Sequence, residues 1–169
     1  MTEIKEKNRR KRSVDILSIL RYGMLAVLVI YVGLLFWTSD DKDAAFDTVA
    51  SEIEKVVDTE AMKRAGSQEL KRLYGLNEKD YDGVLLYYNQ ATMNVEEVFV
   101  VRAKTKKEAR EVLDAAISRR DIQIQNFEGY GAEQVDLLKN AIVKQKGHYV
   151  LFVVSPEAAK YEKAFERAL

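Results

Sequence analysis

The sequence predicts an α+β domain, with an antiparallel sheet of about four strands and helices covering a face, behind a single N-terminal transmembrane helix. Three observations predict this class: short runs of β-branched and aromatic residues, segments with apolar residues at helical spacing, and the order in which the two kinds follow each other. The 169 residues contain no cysteine. This excludes thiol nucleophiles, thiolate metal sites and disulfides.

An uncharged apolar segment follows Arg21 and ends at Trp37. With the apolar residues before Arg21, the stretch 16–37 makes a helix of about 33 Å, close to the roughly 30 Å of a bilayer's hydrocarbon core. Arg21 is expected near one interface, while Tyr22 and Trp37 mark the two headgroup levels. The sequence therefore predicts an uncleaved single-pass anchor, with a cleaved signal peptide as the alternative.

Flanking charge predicts the orientation of this helix. Residues 1–15 form a basic tail that includes KEKNRRKR and is expected to stay in the cytoplasm, because positively charged flanks resist translocation. Residues 38–43 are a short linker, so residues 44–169 are expected as an extracytoplasmic domain close to the lipid bilayer. That domain is mildly acidic and carries no basic stripe, which excludes nucleic acid as a partner.

Apolar residues at helical spacing predict five helices in the domain. These are expected at 44–57, 67–74, 105–124, 132–140 and from Pro156 to the C-terminal end. Ser67 is the expected N-cap of the second helix and Gly75 its stop, and Thr105 and Glu108 form a capping box at the third. Ser155 and Pro156 are expected to cap and start the last helix.

Four strands are predicted between these helices, at 83–89, 97–104, 142–146 and 149–155. A turn around Gly147 joins the last two as a short hairpin. Alternation along the first strand sends Tyr87 and Tyr88 to opposite faces, so one of them is expected to face solvent or a covering helix.

The loop FEGYGAEQ supplies most of the candidate binding surface. Its two glycines permit the backbone angles that reverse the chain, and its two aromatic residues are expected to anchor the loop to the core. Tyrosine joins apolar area to a polar tip, which suits surfaces that bind sugars or proteins. The possible binding surface comprises Phe127, Gly129, Tyr130, Gly131, Tyr87 and Tyr88.

The sequence predicts no catalytic, metal-binding or cofactor-binding residues. His148 is the single histidine and is expected in the last hairpin turn, and no calcium-loop spacing of Asp and Asn occurs. One enzymatic alternative stays open, in which Glu128 and Glu133 act as a carboxylate pair that hydrolyses wall glycans. The preferred interpretation is that the two glycines serve the turn and that the protein is not an enzyme.

Two stretches of the domain resemble the bacterial domain-of-unknown-function family 4358. They are LYGLNEKDYDGVLLYYNQATMNVEEVFVVRAK at 73–104 and NFEGYGAEQVDLLKNAIVKQKGHYVLFVVS at 126–155. The resemblance implies a small envelope protein, membrane-anchored or lipid-anchored and common in Gram-positive bacteria, without an assigned activity. It implies no catalytic residues for this chain.

We therefore expect a non-catalytic binding or accessory module in the bacterial cell envelope, whose partner is another envelope protein or a wall polymer. A further alternative makes the protein a structural subunit that pairs with another membrane protein through the Gly23 and Gly33 face of its helix. The sequence does not determine the oligomeric state.

Overall fold

The computed structural model describes residues 16–37 and 44–169, with the side chains of residues 21–31 in the first range. The two ranges belong to separate units of the chain. The predicted tail at 1–15, the predicted linker at 38–43, the surroundings of Gly33 and the side chain of Trp37 lie outside the described residues.

The first unit contains a single helix, α1 (Ile16–Trp37), with the bounds expected from the sequence. The side chains of residues 21–31 are exposed, and Tyr22 is 72% exposed. Within the part of the chain that the structure describes, no helix combines the length and the apolar character needed to cross a membrane. The span predicted from the sequence therefore stays a prediction.

The second unit is an α+β domain, which confirms the predicted class. Its helices are α2 (Phe46–Glu54), α3 (Ser67–Tyr74), α4 (Lys106–Phe127), α5 (Ala132–Lys139) and α6 (Ala158–Ala168), with a 3-10 turn at Glu78–Asp80. Its strands are β1 (Lys63–Arg64), β2 (Gly83–Tyr88), β3 (Glu97–Arg102), β4 (Ile142–Lys146) and β5 (Tyr149–Val154). They form one antiparallel sheet in the order β1-β2-β3-β5-β4.

Helices cover both faces of this sheet. On one face α2 and α6 contribute buried residues such as Ile53 and Phe165, and on the other α3, α4 and α5 contribute Leu70, Val112 and Leu138. The expectation of one covered face was wrong. The central strands β3 and β5 are buried along their whole length apart from the last residue of β3, so each face needs a cover.

The sheet also has one strand more than the four expected. The additional strand, β1, has two residues and pairs Lys63 with Tyr88 and Arg64 with Tyr87. Both of its side chains are exposed and charged. A strand this short shows no alternation of apolar and polar residues, so the pattern could not indicate it.

Several predicted helix ends are confirmed by a backbone angle or by a hydrogen bond. Gly75 ends α3 with a φ of 71°, in the left-handed region that glycine adopts without strain. Thr105 Oγ1 accepts a hydrogen bond from the Glu108 N–H at 3.1 Å, as a capping box requires. The Glu108 carboxylate, however, accepts from the N–H of Lys104 and not from that of Thr105.

Other ends differ from the prediction. The N-cap of α3 is Gly66 and not Ser67, whose hydroxyl group donates instead to Glu78. The last helix begins at Ala158, after a turn in which Ser155 Oγ accepts from the Glu157 N–H. The helix α2 is shorter than expected, and α4 is longer because it continues to Phe127.

The start of the domain is fixed at the end of the sheet where β2 begins. Tyr149 Oη donates a hydrogen bond of 2.5 Å to the carbonyl oxygen of Ala44. The ring of Phe46 lies on Gly83, where an added Cβ would come within 2.2 Å of the ring. Glycine at position 83 therefore lets α2 pack onto the sheet.

We expect Gly83→Ala to lower the free energy of unfolding by roughly 1–3 kcal/mol, the usual cost of overpacking. Urea unfolding of Gly83→Ala, Phe46→Leu and the double variant measures this. If the clash causes the loss, the double variant is more stable than the sum of the single effects predicts. Additive losses would contradict this explanation.

Candidate binding site

The FEGYGAEQ loop joins the end of α4 to α5. Phe127 is the last residue of α4 and is buried, and Gly129, two positions later, takes a φ of 95°. Tyr130 is 66% exposed, with its ring centroid 5.6 Å from that of Phe127. The expectation that Tyr130 anchors the loop was wrong. Phe127 already fills the space below the loop, and the backbone of Gly131 lies so close to its ring that a Cβ would come within 2.6 Å.

Tyr87 and Tyr88 lie on opposite faces of β2, as alternation predicts. Tyr87 is 8% exposed, belongs to the core between the sheet and α2 and α6, and donates from its hydroxyl group to Glu54 at 3.1 Å. Tyr88 is half-buried at the end of β2, next to the β2–β3 loop. The structure therefore places Tyr87 on the other face of the sheet from Phe127, and the six predicted surface residues do not form one surface.

Glu128 and Glu133, the carboxylates of the enzymatic alternative, are both exposed and line different depressions. Glu128 lines a depression of about 370 Å³ together with Tyr130 and Lys139. Glu133 lines two other depressions, which share no lining residue with the first. None of these three depressions is lined by both carboxylates, whereas a glycosidase mechanism needs both on one glycosidic bond.

His148 lies half-buried in the β4–β5 turn, where the sequence placed it, and its carbonyl oxygen accepts a hydrogen bond from the Ala103 N–H. In residues 16–37 and 44–169, no three His, Asp or Glu side chains come together in a way that could hold a metal ion.

The two depressions beside Glu133 adjoin each other, since Leu137 and Pro156 also line both. Their volumes are about 300 and 590 Å³. We call the combined feature the α5 groove. Its walls are residues 93–96, residues 155, 156, 158 and 159, and one face of α5.

The local sequence explains this groove. Glu133, Asp136, Leu137 and Asn140 are spaced i, i+3, i+4 and i+7, so they share one face of α5. Gln134 Nε2 donates a hydrogen bond of 3.0 Å to the carbonyl oxygen of Met93, which holds the β2–β3 loop against α5.

The wall at 93–96 is ordered by its own hydrogen bonds. Asn94 Oδ1 accepts from the Glu96 N–H at 2.7 Å, and Asn94 Nδ2 donates to the Glu96 carboxylate at 3.2 Å. Met93, Glu96 and Asp136 were not predicted from the sequence as site residues. The one signal that could have indicated them was the acidic face of α5.

The α5 groove is acidic. Its charged side chains are Glu96, Glu133 and Asp136, and no lysine or arginine lines either depression. In residues 44–169 none of these three carboxylates forms an ion pair. Lys139, the cation on α5, lines the separate depression beside Tyr130.

A buried polar network follows directly after the groove wall. Glu97 is 1% exposed and accepts a hydrogen bond of 2.6 Å from the Tyr74 hydroxyl group. Arg119 on α4 donates to the same carboxylate from Nη2 at 3.0 Å and from Nε at 3.3 Å, and its guanidinium lies 6.0 Å from the centroid of the Tyr74 ring. The network ties α3 and α4 to the start of β3.

Burial raises the pKa of Tyr74 well above its ordinary value, and the nearby Glu97 carboxylate raises it further. The folded-state pKa thus exceeds the unfolded value of about 10. The stabilising contribution of Tyr74 is then complete below that pH and is lost as the pH rises toward the folded-state pKa, because the unfolded chain ionises first.

We expect the free energy of unfolding to fall between pH 9 and 11, and to fall less steeply in Tyr74→Phe. Urea unfolding at several pH values measures both slopes. Tyr130→Phe, a change at an exposed tyrosine, serves as the control and should keep the wild-type slope. Equal slopes for wild type and Tyr74→Phe would contradict the role given to this hydroxyl group.

A protein-family model described as Domain of unknown function (DUF4358) matches residues 55–155. This range contains all five strands together with α3, α4 and α5, and it confirms the family resemblance inferred from the sequence. No curated protein and no solved structure matches the chain.

Proposed function

We propose that this chain, which belongs to the DUF4358 family, is a membrane-anchored binding module of the bacterial cell envelope. The description of the family assigns no activity. The observation that carries this proposal is the position of the exposed apolar side chains. Within residues 44–169 three large apolar side chains are mainly exposed: Met93 at 52%, Ile122 at 51% and Tyr130 at 66%. Met93 and Tyr130 lie beside α5, and Ile122 lies near the end of α4.

Exposed apolar side chains of this kind favour a protein partner. Tyrosine and methionine are enriched in protein interfaces, where they bury a large area and adapt to the partner's shape. The α5 groove adds concave area beside them. Since the Gln134 to Met93 hydrogen bond already fixes the loop, little ordering is needed on binding.

The α5 groove also lies at the end of the domain away from Ala44. Ala44 lies beside Tyr149, and Phe46 lies on Gly83 at the start of β2. The β2–β3 loop that forms one groove wall is at the other end of strands six residues long, roughly 20 Å away.

For the anchor, support comes from the sequence of α1. Its residues 22–37 carry no charge, Tyr22 follows Arg21 at one end, and a basic cluster precedes the helix. The side chains of residues 22–31 are apolar or aromatic and exposed, and a bilayer would bury them away from water. In this arrangement the domain lies outside the cytoplasm.

Photocrosslinking in intact cells tests the proposed function. A photoreactive phenylalanine analogue replaces Tyr130 in one strain and Lys107 in a second, a side chain 88% exposed on α4. We expect a discrete crosslinked product from position 130 and none from position 107. Met93→Glu should reduce the product from position 130 at least severalfold, since it places a charge in the apolar part of the contact.

Equal products from both positions, or no change with Met93→Glu, would contradict binding through this surface. Pairing through α1 is the competing hypothesis. It predicts crosslinks from α1 that persist in Met93→Glu, and none from position 130.

A further inference from the structure

We propose that the partner presents a cationic amphipathic segment to the α5 groove, an inference that rests on the proposed function and specifies the partner's chemistry. The groove combines two properties on one concave surface: three carboxylates without ion-pair partners and an apolar floor. Neither property alone would indicate an occupant, but together they match a segment that alternates basic and apolar residues.

The carboxylates have an orderly arrangement. Glu133 and Asp136 are about one turn apart on α5, and Glu96 lines the same depression as Glu133. Asn94 holds the Glu96 carboxylate by a hydrogen bond of 3.2 Å. A lysine or arginine in the groove would be attracted by these carboxylates, whereas an anionic segment would be repelled by them.

The floor supplies the apolar half of the match. Leu137 and Pro156 line both depressions, Val95 lines the smaller one and Ile142 lines the larger one. Met93 lies at the rim, where its flexible thioether side chain can follow an apolar residue of the partner. Long basic side chains can lay their methylene stems along such a floor while their charged ends reach the carboxylates.

This charge distribution also separates the proposal from its competitor, a phosphate-rich wall polymer. Such a polymer is polyanionic and would need cations along its path, but neither depression is lined by lysine or arginine. The groove therefore favours a cationic protein segment over an anionic polymer.

The test uses the full-length protein in zwitterionic phosphatidylcholine nanodiscs, with empty nanodiscs as the baseline. Fluorescence anisotropy measures binding of three labelled peptides: KLAKLAKLAKLA, its acidic counterpart ELAELAELAELA, and KEKNRRKR, which is cationic but lacks apolar anchors and equals residues 5–12. We expect the first to bind at least tenfold more tightly than either other peptide, and its affinity to fall as sodium chloride is raised.

A matched pair of charge-reversal variants locates the binding. Glu133→Lys/Asp136→Lys alters the groove, and Glu111→Lys/Asp114→Lys makes the same charge change at the same spacing on the exposed face of α4. The groove variant should bind KLAKLAKLAKLA at least tenfold more weakly than wild type, and the control should change the affinity less than threefold. Thermal unfolding of both variants checks that each is folded.

The inference is overturned if the acidic peptide binds as tightly as the basic one, or if both variants lose affinity equally. If position 130 crosslinks in cells but the three peptides bind equally well, the charge inference is overturned and the proposed function stays intact. Selective peptide binding without any crosslink in cells would contradict the proposed function instead.

Discussion

Arg119→Ala is expected to lower the free energy of unfolding by about 3 kcal/mol, the lower end of the usual cost of breaking a buried ion pair. The substitution leaves the Glu97 carboxylate, 1% exposed, without its cation, and Tyr74 keeps only a bond to an uncompensated charge. The cost is at the lower end of that range because the Arg119 side chain is itself 17% exposed and water reaches part of it. Urea unfolding measures the loss.

Arg110→Ala is the matched control for this prediction, because it removes an arginine from the same helix. Its ion pair with Asp114 is exposed, at 65% and 61%, and such pairs contribute less than about 1 kcal/mol. The double variant Glu97→Gln/Arg119→Met should recover part of the loss, since it removes the buried charge as well. Equal losses in Arg119→Ala and Arg110→Ala would show that the network does not stabilise the fold.

Phe99→Ala is expected to cost about 4 kcal/mol, within the range for truncating a buried phenylalanine. Phe99 is fully buried in the central strand β3, opposite Phe152 of β5 in the sheet register. Its ring stacks on Tyr74 with centroids 4.1 Å apart. Removing it leaves a cavity against the buried network, in addition to the lost apolar burial.

Tyr130→Ala controls for the loss of an aromatic ring as such. Tyr130 is 66% exposed, so this substitution should change stability by no more than about 0.5 kcal/mol. Thermal and urea unfolding of both variants give the comparison. A loss below about 2 kcal/mol for Phe99→Ala would contradict the close packing described for the centre of the sheet.

The elements that could be predicted from the sequence are those with strong local signals. Gly75 and the Thr105–Glu108 pair mark helix ends through backbone angles and side-chain caps that depend on neighbouring residues alone. The apolar run of β5 predicts a strand whatever lies around it.

The features that sequence reasoning missed depend on contacts between distant residues. Glu97 lies in a strand pattern, and its partner Arg119 lies 22 positions away on α4. The α5 groove exists because Gln134 holds the loop at Met93, 41 positions earlier in the chain. Tyr130 was expected to help anchor the loop to the core because nothing in its local sequence shows that Phe127 already fills that space.

The most direct test of the account is the side of the membrane on which residues 44–169 lie. Cells that carry one epitope tag at each terminus are freed of their wall and treated with protease from outside. We expect the C-terminal tag to be lost and the N-terminal tag to stay protected until lysis, because the basic tail remains in the cytoplasm. Survival of the C-terminal tag in intact cells, followed by its loss on lysis, would contradict the proposed placement and the envelope function inferred from it.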